Sequence, residues 1–452
     1  MKSTHRIARR VGRTVAAMVT GLCLVGSLAA CAPGSAGGAK TGTADDIAAA
    51  LQEKSTITVW SWGTPVQAAA DAFQEEYPNV TVKVVNAGTG SAEYTKLQNA
   101  IKAGSGAPDV AQIEYYALPQ FALSDSLADL NDFGFAELED EFTASTWGNV
   151  SIDGGLYALP QDSGPMAMFY NKAVFDEYSI AVPTTWAEYT AAAATIHAAD
   201  PSRYISSDSG DAGFATSMIW QAGGHPYTTE NGTDVTIDLQ DAGAKEWTEM
   251  WNPMVQDGLV SPIVGWTDEW YKALGDGTIS TLLTGAWMPA NFESGITESA
   301  GDWRVAPLPT YEAGEAASAE NGGSSVAVLE QSTNKLVAAG FVEYLNAGPG
   351  VQLQIDGGSF PSTVADLESE EFLGYESEYF GGQKINEVLV KAAKDVVPGW
   401  SYLPFQVYSN SIFADTVGQS YENKTDLNTG LQGWQDETAA YGVEQGFTVN
   451  SK

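Results

Sequence analysis

Two short stretches of the chain set a flat apolar ring beside a hydrogen-bond acceptor, and a third offers a lone amide. Trp60-Ser61-Trp62-Gly63 carries two indoles two residues apart, which puts both on one face of a strand. Trp62, nearer the following loop, is the better stacking surface, and Trp60 the better core residue. Glu114-Tyr115-Tyr116 sets a carboxylate beside two phenols, able to accept hydroxyl hydrogens and stack a ring. The same triplet also reads as a helix-start acid with packed tyrosines. Asn86, after the apolar run Val80 to Val85, is a polar contact or a turn residue. The chemistry on offer is recognition. Directed acceptors and ring faces suit a small polyhydroxylated molecule, because a buried hydroxyl without a partner is costly.

Covalent chemistry finds less support. Glycoside hydrolysis needs two carboxylates across a sugar, and Glu114 with Asp162 can supply them, but binding proteins use carboxylates too. No Gly-x-Ser-x-Gly elbow, phosphate loop or HExxH is present. The only cysteines are Cys23 and Cys31, and His5, His197 and His225 are the only histidines. Cys23 falls in the leading segment that reads as a signal, which leaves Cys31 alone: no disulfide, no thiol nucleophile and no cysteine-based metal site are expected. His197 and His225 are too few for a histidine-rich zinc centre, while an oxygen-ligand calcium site stays open. No cofactor is implied. Thirteen Trp and 19 Tyr exceed what recognition alone needs, so many of them must fill cores.

The elements that position these residues alternate. Thr56 to Trp60 reads as a strand, Gln67 to Tyr77 as a helix, Val80 to Val85 as a strand, Ala92 to Lys102 as a helix and Asp109 to Ile113 as a buried strand. This is the pattern of a doubly wound α/β sheet, with its working loops at the carboxyl ends of the strands. Later strands are expected at Ala167 to Tyr170, Ser280 to Leu283, Trp303 to Pro307 and Gly322 to Val328. Helices are expected at Thr185 to Ala199, Phe214 to Ala222, Gly243 to Val255, Thr267 to Leu274 and Thr333 to Asn346. Trp247 and Trp251, four apart, form a packing stripe.

The first 30 residues stand apart. Lys2, Arg6, Arg9, Arg10 and Arg13 precede an apolar run to Ala30 with no acidic residue, the pattern of a secretory signal too short to span a membrane comfortably. Leu28-Ala29-Ala30-Cys31 resembles the bacterial lipobox, in which the Cys31 thiol accepts a diacylglyceryl group and cleavage leaves a lipidated terminus. A Gly-, Ala- and Ser-rich spacer follows to about Thr43. Removing the signal takes away five of 21 basic residues and none of 57 acidic ones, leaving 16 against 57, a net charge of −41. A surface this acidic repels nucleic acid and anionic lipid.

Further motifs carry a resemblance along nearly all of the chain after the signal. They are Gly106-Ala107-Pro108-Asp109-Val110-Ala111, Tyr157-Ala158-Leu159-Pro160 leading to Phe169-Tyr170-Asn171-Lys172, Thr284-Gly285-Ala286-Trp287, Gly322-Gly323-Ser324-Ser325-Val326-Ala327 and Phe360-Pro361-Ser362-Thr363. With Ile57 to Gly63, their order is similar to that of the sugar-binding extracellular solute-binding proteins of ABC importers, which include the maltose-binding proteins. Tyr379-Phe380-Gly381-Gly382-Gln383 is similar to a feature of actinobacterial oligosaccharide binders. The resemblance implies an α/β, two-lobe periplasmic-binding-protein fold, each lobe a mostly parallel sheet flanked by helices. The implied division is signal 1–30, tether and linker 31–55, first lobe 56–161 with 322–362, and second lobe 162–321 with 363–452. It further implies a ligand held between closing lobes. The contacts would be Trp62, Gly63, Asn86, Glu114, Tyr115 and Tyr116 from the first lobe, Asp162 and Ser324 at the crossings, and Trp220, Gln221, Trp287 and Trp400 from the second. Partners implied are an oligosaccharide, membrane permease subunits and the membrane itself through Cys31, for a monomeric, non-enzymatic protein on the extracellular face. A polyamine or peptide ligand is the alternative, because the two-lobe architecture alone does not choose.

Overall fold

The structure is a computed structural model that describes residues 42–452; the signal segment, Cys31 and most of the spacer lie outside the described residues. In chain order, the strands that build the three sheets of interest are β1 (Ser55–Trp60), β2 (Val80–Val85), β3 (Val110–Glu114), β4 (Leu159–Pro160), β5 (Met166–Asn171), β6 (Ser206–Ser207), β7 (Val260–Ser261), β8 (Thr281–Gly285), β9 (Trp303–Pro307) and β10 (Ser324–Val328). The helices that matter for the site are α1 (Ala44–Ala50), α2 (Pro65–Glu76), α3 (Gly90–Ala103), α4 (Ala144–Val150), α5 (Ala212–Gln221), α6 (Asp268–Gly275) and α7 (Lys335–Asn346).

Local sequence explains the early helices. Pro65 opens α2, where its missing N–H costs nothing, and Val66, Ala69, Ala70 and Phe73 give the helix one buried face. Helix α3 stops at Gly104, whose φ of 64° is left-handed. Helix α1 carries a capping box between Thr43 and Asp46 and buries Ile47 and Leu51 in the first core. The last part of the expected tether and linker, 31–55, is thus helical. From Ala44 onward an apolar helix face binds it to the body.

The first-lobe sheet has the order β2-β1-β3-β10-β4. β1 pairs parallel with β2 and β3, whereas β10 pairs antiparallel with both β3 and β4. The reversal follows from the chain path. The chain leaves this sheet at the carboxyl end of β4 and re-enters at the same end, so β10 must run backwards. In the second lobe, β8 and β9 both pair antiparallel with β5; the parallel pairs are short, β6 with β7 and Asp234–Ile237 with Thr448–Ser451. The mostly parallel character expected of each lobe thus belongs to the first; the second lobe's principal sheet is antiparallel.

The cores divide the same way. One apolar cluster draws on residues from Ile47 to Leu159 and from Val326 to Leu345. Two others draw on residues between Met166 and Ala319 and between Phe360 and Trp434. Three segments cross between them and lie side by side: Asp162 bridges to Pro361, Pro165 to Glu320, and the Gln161 amide donates to the Ser324 carbonyl at 2.9 Å.

Candidate ligand-binding site

A buried hydrogen-bond chain ties the first-lobe loops to the crossings. Gln112, in the middle of β3, accepts at Oε1 from the Ser61 hydroxyl (2.6 Å) and from the Trp62 and Gly63 amides (3.2 Å each). Its Nε2 donates to Ser324 Oγ at 2.9 Å. Ser324 in turn donates through N (2.6 Å) and Oγ (2.7 Å) to Asp162 Oδ1, and the Tyr115 hydroxyl donates to the Asp162 carbonyl at 2.8 Å. One glutamine therefore orients the loop that presents Trp62, which stays half-buried with its ring outside the core. Burial raises the Asp162 carboxyl above the ordinary carboxylate range, against the pull of the Ser324 donors.

Beside this chain, the Tyr94 hydroxyl donates to Glu114 Oε2 at 2.8 Å, and the Tyr94 and Tyr116 rings meet edge-on at 6.0 Å. Burial raises Glu114; the two tyrosine hydroxyls oppose it, and the charges of Asp162 and Asp211 add to it. Asp211 belongs to the other lobe. It caps α5 by accepting from the Phe214 amide at 2.8 Å, remains exposed, and also acts on Tyr116. Glu114 and Tyr116 thus lie close enough to the start of a second-lobe helix to feel the charge of its capping residue.

The second-lobe wall centres on Trp287. Its Nε1 donates to the Asn321 carbonyl at 2.7 Å, and its ring stacks on Trp266 at 5.6 Å and 28°. The indole can lie this close to the crossing only because Gly285 precedes it: a Cβ there would sit 2.4 Å from Asn321 O and 2.5 Å from Trp287 Nε1. Gly323, at φ 91°, does the same for Tyr115, whose ring would lie 2.7 Å from a Cβ. Asn321 is anchored as well, accepting from Thr284 Oγ1 and donating to Ser217 Oγ.

Not every expected contact is free to touch a ligand. Asn86 spends its Oδ1 on the Gly88 amide at 2.9 Å and is exposed, a turn role. Tyr115 and Ser324 are buried, with their polar atoms committed to the crossing. Gln221, 2 % exposed, accepts from Trp186 Nε1 and donates to the carbonyls of Pro309 and Ala317. In this structure Tyr115, Ser324 and Gln221 act as supports, their side-chain polar groups already paired with protein, and Asn86 spends its oxygen in a turn. Trp220 is buried, donates to the Val397 carbonyl at 2.6 Å and stacks on Trp400 at 5.0 Å and 8°. The pair lines a cavity of about 410 Å³ together with Phe142 and Asn149 at α4. Trp62, Gly63, Glu114, Tyr116, Asp162 and Trp287 remain around the loops and crossings.

Sequence reasoning passed over several residues that shape this place. Gln112 read as one more residue of a buried strand, although a lone amide in such a run signals a polar job. Asp211 stands in Asp211-Ala212, an N-cap signal that was available. Tyr402 had no local signal; it meets Trp400 edge-on at 6.0 Å, and the charges of Glu320 and Glu114 act on it. Glu320 accepts from Ser145, Ser163 and the Gly164 amide, joining α4 to two of the three crossings, and burial pushes it up to about 7.

Comparison with known proteins places this geometry. The family model of the bacterial extracellular solute-binding proteins matches residues 61–350. The lactose-binding protein of Rhizobium radiobacter is 24% identical over 351 residues, 73% of this chain and 80% of that protein. An arabinooligosaccharide-binding protein of Halalkalibacterium halodurans is 26% identical over 332 residues, 66% of this chain and 68% of that protein. Among solved structures, the ABC-transporter-associated binding protein of B. animalis subsp. lactis Bl-04, in complex with beta-1,6-galactobiose, is 46% identical with a TM-score of 0.80, covering 88% of this chain and 100% of that one. The galacto-N-biose-/lacto-N-biose I-binding protein of Bifidobacterium longum, with lacto-N-biose, is 25% identical with a TM-score of 0.76, covering 87% and 98%.

Proposed function

The chain belongs to the bacterial extracellular solute-binding proteins, and from that premise we propose that its cleft captures a short oligosaccharide and delivers it to the permease of an ABC importer. The observation that carries the proposal is the convergence on the crossings: Trp287, bonded to the Asn321 carbonyl, comes from the second lobe, and Glu114, paired with Ser324, comes with the Gln112–Ser324–Asp162 chain from the first. A sugar ring lays its C–H face on the indole. Its hydroxyls donate to carboxylates and accept from phenols, whose geometry is fixed before the ligand arrives. Ligand bridging the two walls has more contacts in the closed form and shifts the lobes toward it. The 46% identical structure holding a galactobiose supports a saccharide over a polyamine.

Binding without turnover fits the same residues. A glycosidase separates its two carboxyls into an acid and a base. Here burial pushes Glu114 and Asp162 in the same direction, and Asp162 Oδ1 is already bonded to Ser324. Lipidation of Cys31 would tether the receptor beside its permease, and the monomer is the unit that closes.

Titration calorimetry of the signal-free chain against beta-1,6-galactobiose, lacto-N-biose, lactose and arabino-oligosaccharides, with spermidine and a peptide mixture, tests the reading. At least one saccharide is expected to give saturable heat, and Trp287→Ala to weaken it at least tenfold. Heat from spermidine and from no saccharide would overturn it.

A further inference from the structure

We infer that Trp266 is the outer rung of the second-lobe wall and sets how long a saccharide the protein prefers; the inference rests on the carbohydrate reading above. Trp266 lies in the loop between β7 and α6 and is 57 % exposed, while every other tryptophan among the described residues is buried or half-buried. Its φ of 67° is left-handed, a conformation that a bulky side chain holds only where its surroundings dictate it. They do so here. Thr267 Oγ1 donates to the Val264 carbonyl at 2.8 Å and accepts from the Trp270 amide, locking the turn against α6. Behind the ring stand Trp287 (5.6 Å, 28°), Trp270 (5.3 Å, 41°) and Tyr271 (6.4 Å, 70°). Trp270 is buried and pinned by its Nε1 donating to Ser207 Oγ at 2.8 Å.

A strained backbone therefore holds an indole in water with aromatic support behind it. Core packing would turn that ring inward, and one exposed ring is too small an area for a protein partner. A flat apolar face open to solvent suits the C–H face of a further sugar unit. Exposure orders the pair: Trp287 is half-buried and held at the crossing by Asn321 O, and Trp266, stacked on it, is the ring open to solvent. The inner unit of a chain meets Trp287, and only a longer chain reaches Trp266.

The test is calorimetry on a galacto-oligosaccharide series from one to four units, with the wild type, Trp266→Ala and Trp266→Phe. For Trp266→Ala the affinity for tri- and tetrasaccharide should fall about tenfold, while the mono- and disaccharide stay within twofold. Trp266→Phe should recover part of the loss. Equal losses at every length would overturn the inference, making Trp266 only a prop for Trp287, as would unchanged affinity at every length. On the wild-type chain, acrylamide quenching of the signal lost in Trp266→Phe should be relieved by tetrasaccharide and not by monosaccharide; relief by neither would also overturn it. A wild type that binds no saccharide of any length would instead end the broader reading.

Discussion

Single side chains show how the site holds charge away from water. Glu93, in the first turn of α3, is fully buried with neither carboxyl oxygen bonded to protein, and burial pushes it up to about 8, with the Glu114 charge adding and Lys96 opposing. Between the ordinary 4.5 and about 8 the folded chain keeps this proton and the unfolded chain loses it. Stability from this group is then fully present below about 4.5 and is lost as pH rises through about 8. Glu320 adds a similar loss, complete by about 7. Glu93→Gln keeps the shape and removes the charge. The expected outcome is an unchanged melting temperature near pH 4.5 and a more stable variant at pH 9, by about 2–4 kcal/mol, read by calorimetry across the range. A variant that melts with the wild type at pH 9 would show that Glu93 ionises freely in the fold.

Among the elements, those with strong periodicity were legible in the sequence and those defined by distant pairing were not. β1, β2, α2 and α3 stand within two residues or so of their expected places because each carries its own apolar spacing. The two-residue strands β6 and β7 carry none; they exist because each finds the other across 54 residues. A hairpin of Tyr227–Glu230 with Asp234–Ile237 was missed although Asn231 and Gly232, both at positive φ, are a strong turn signal. The site divides likewise. The aromatic and acidic residues at strand ends could be read, but whether Gln221 or Ser324 had spent its polar atoms depended on partners up to 212 positions away. The loop after β8 offers a test at this scale. Gly285→Ala must push Trp287 off Asn321, so it should cost roughly 2–4 kcal/mol of stability and weaken sugar binding together. Loss of one without the other in paired melting and calorimetry would separate the packing of this loop from its role in the cleft.

For the whole molecule, charge and chain path matter more than any contact. The net charge is −36, and self-repulsion on that scale opposes compactness. Raising salt from about 0.01 to 0.15 M shortens the Debye length from roughly 30 to 8 Å, so the melting temperature should rise, while affinity for a neutral saccharide should move less than twofold. A salt-dependent affinity would instead indicate a charged ligand. The backward run of β10 has a consequence in time. It pairs with β3 in a register that joins Ser324 to Glu114, and α7, which follows it, packs on the same sheet. The first lobe cannot seat β10 between β3 and β4 until the whole insertion between β4 and β10 has been made. Contacts so distant in sequence close slowly. Late closure of this kind predicts that a chain cut short before β10 fails to fold its first lobe, which limited proteolysis of residues 42–323 would check.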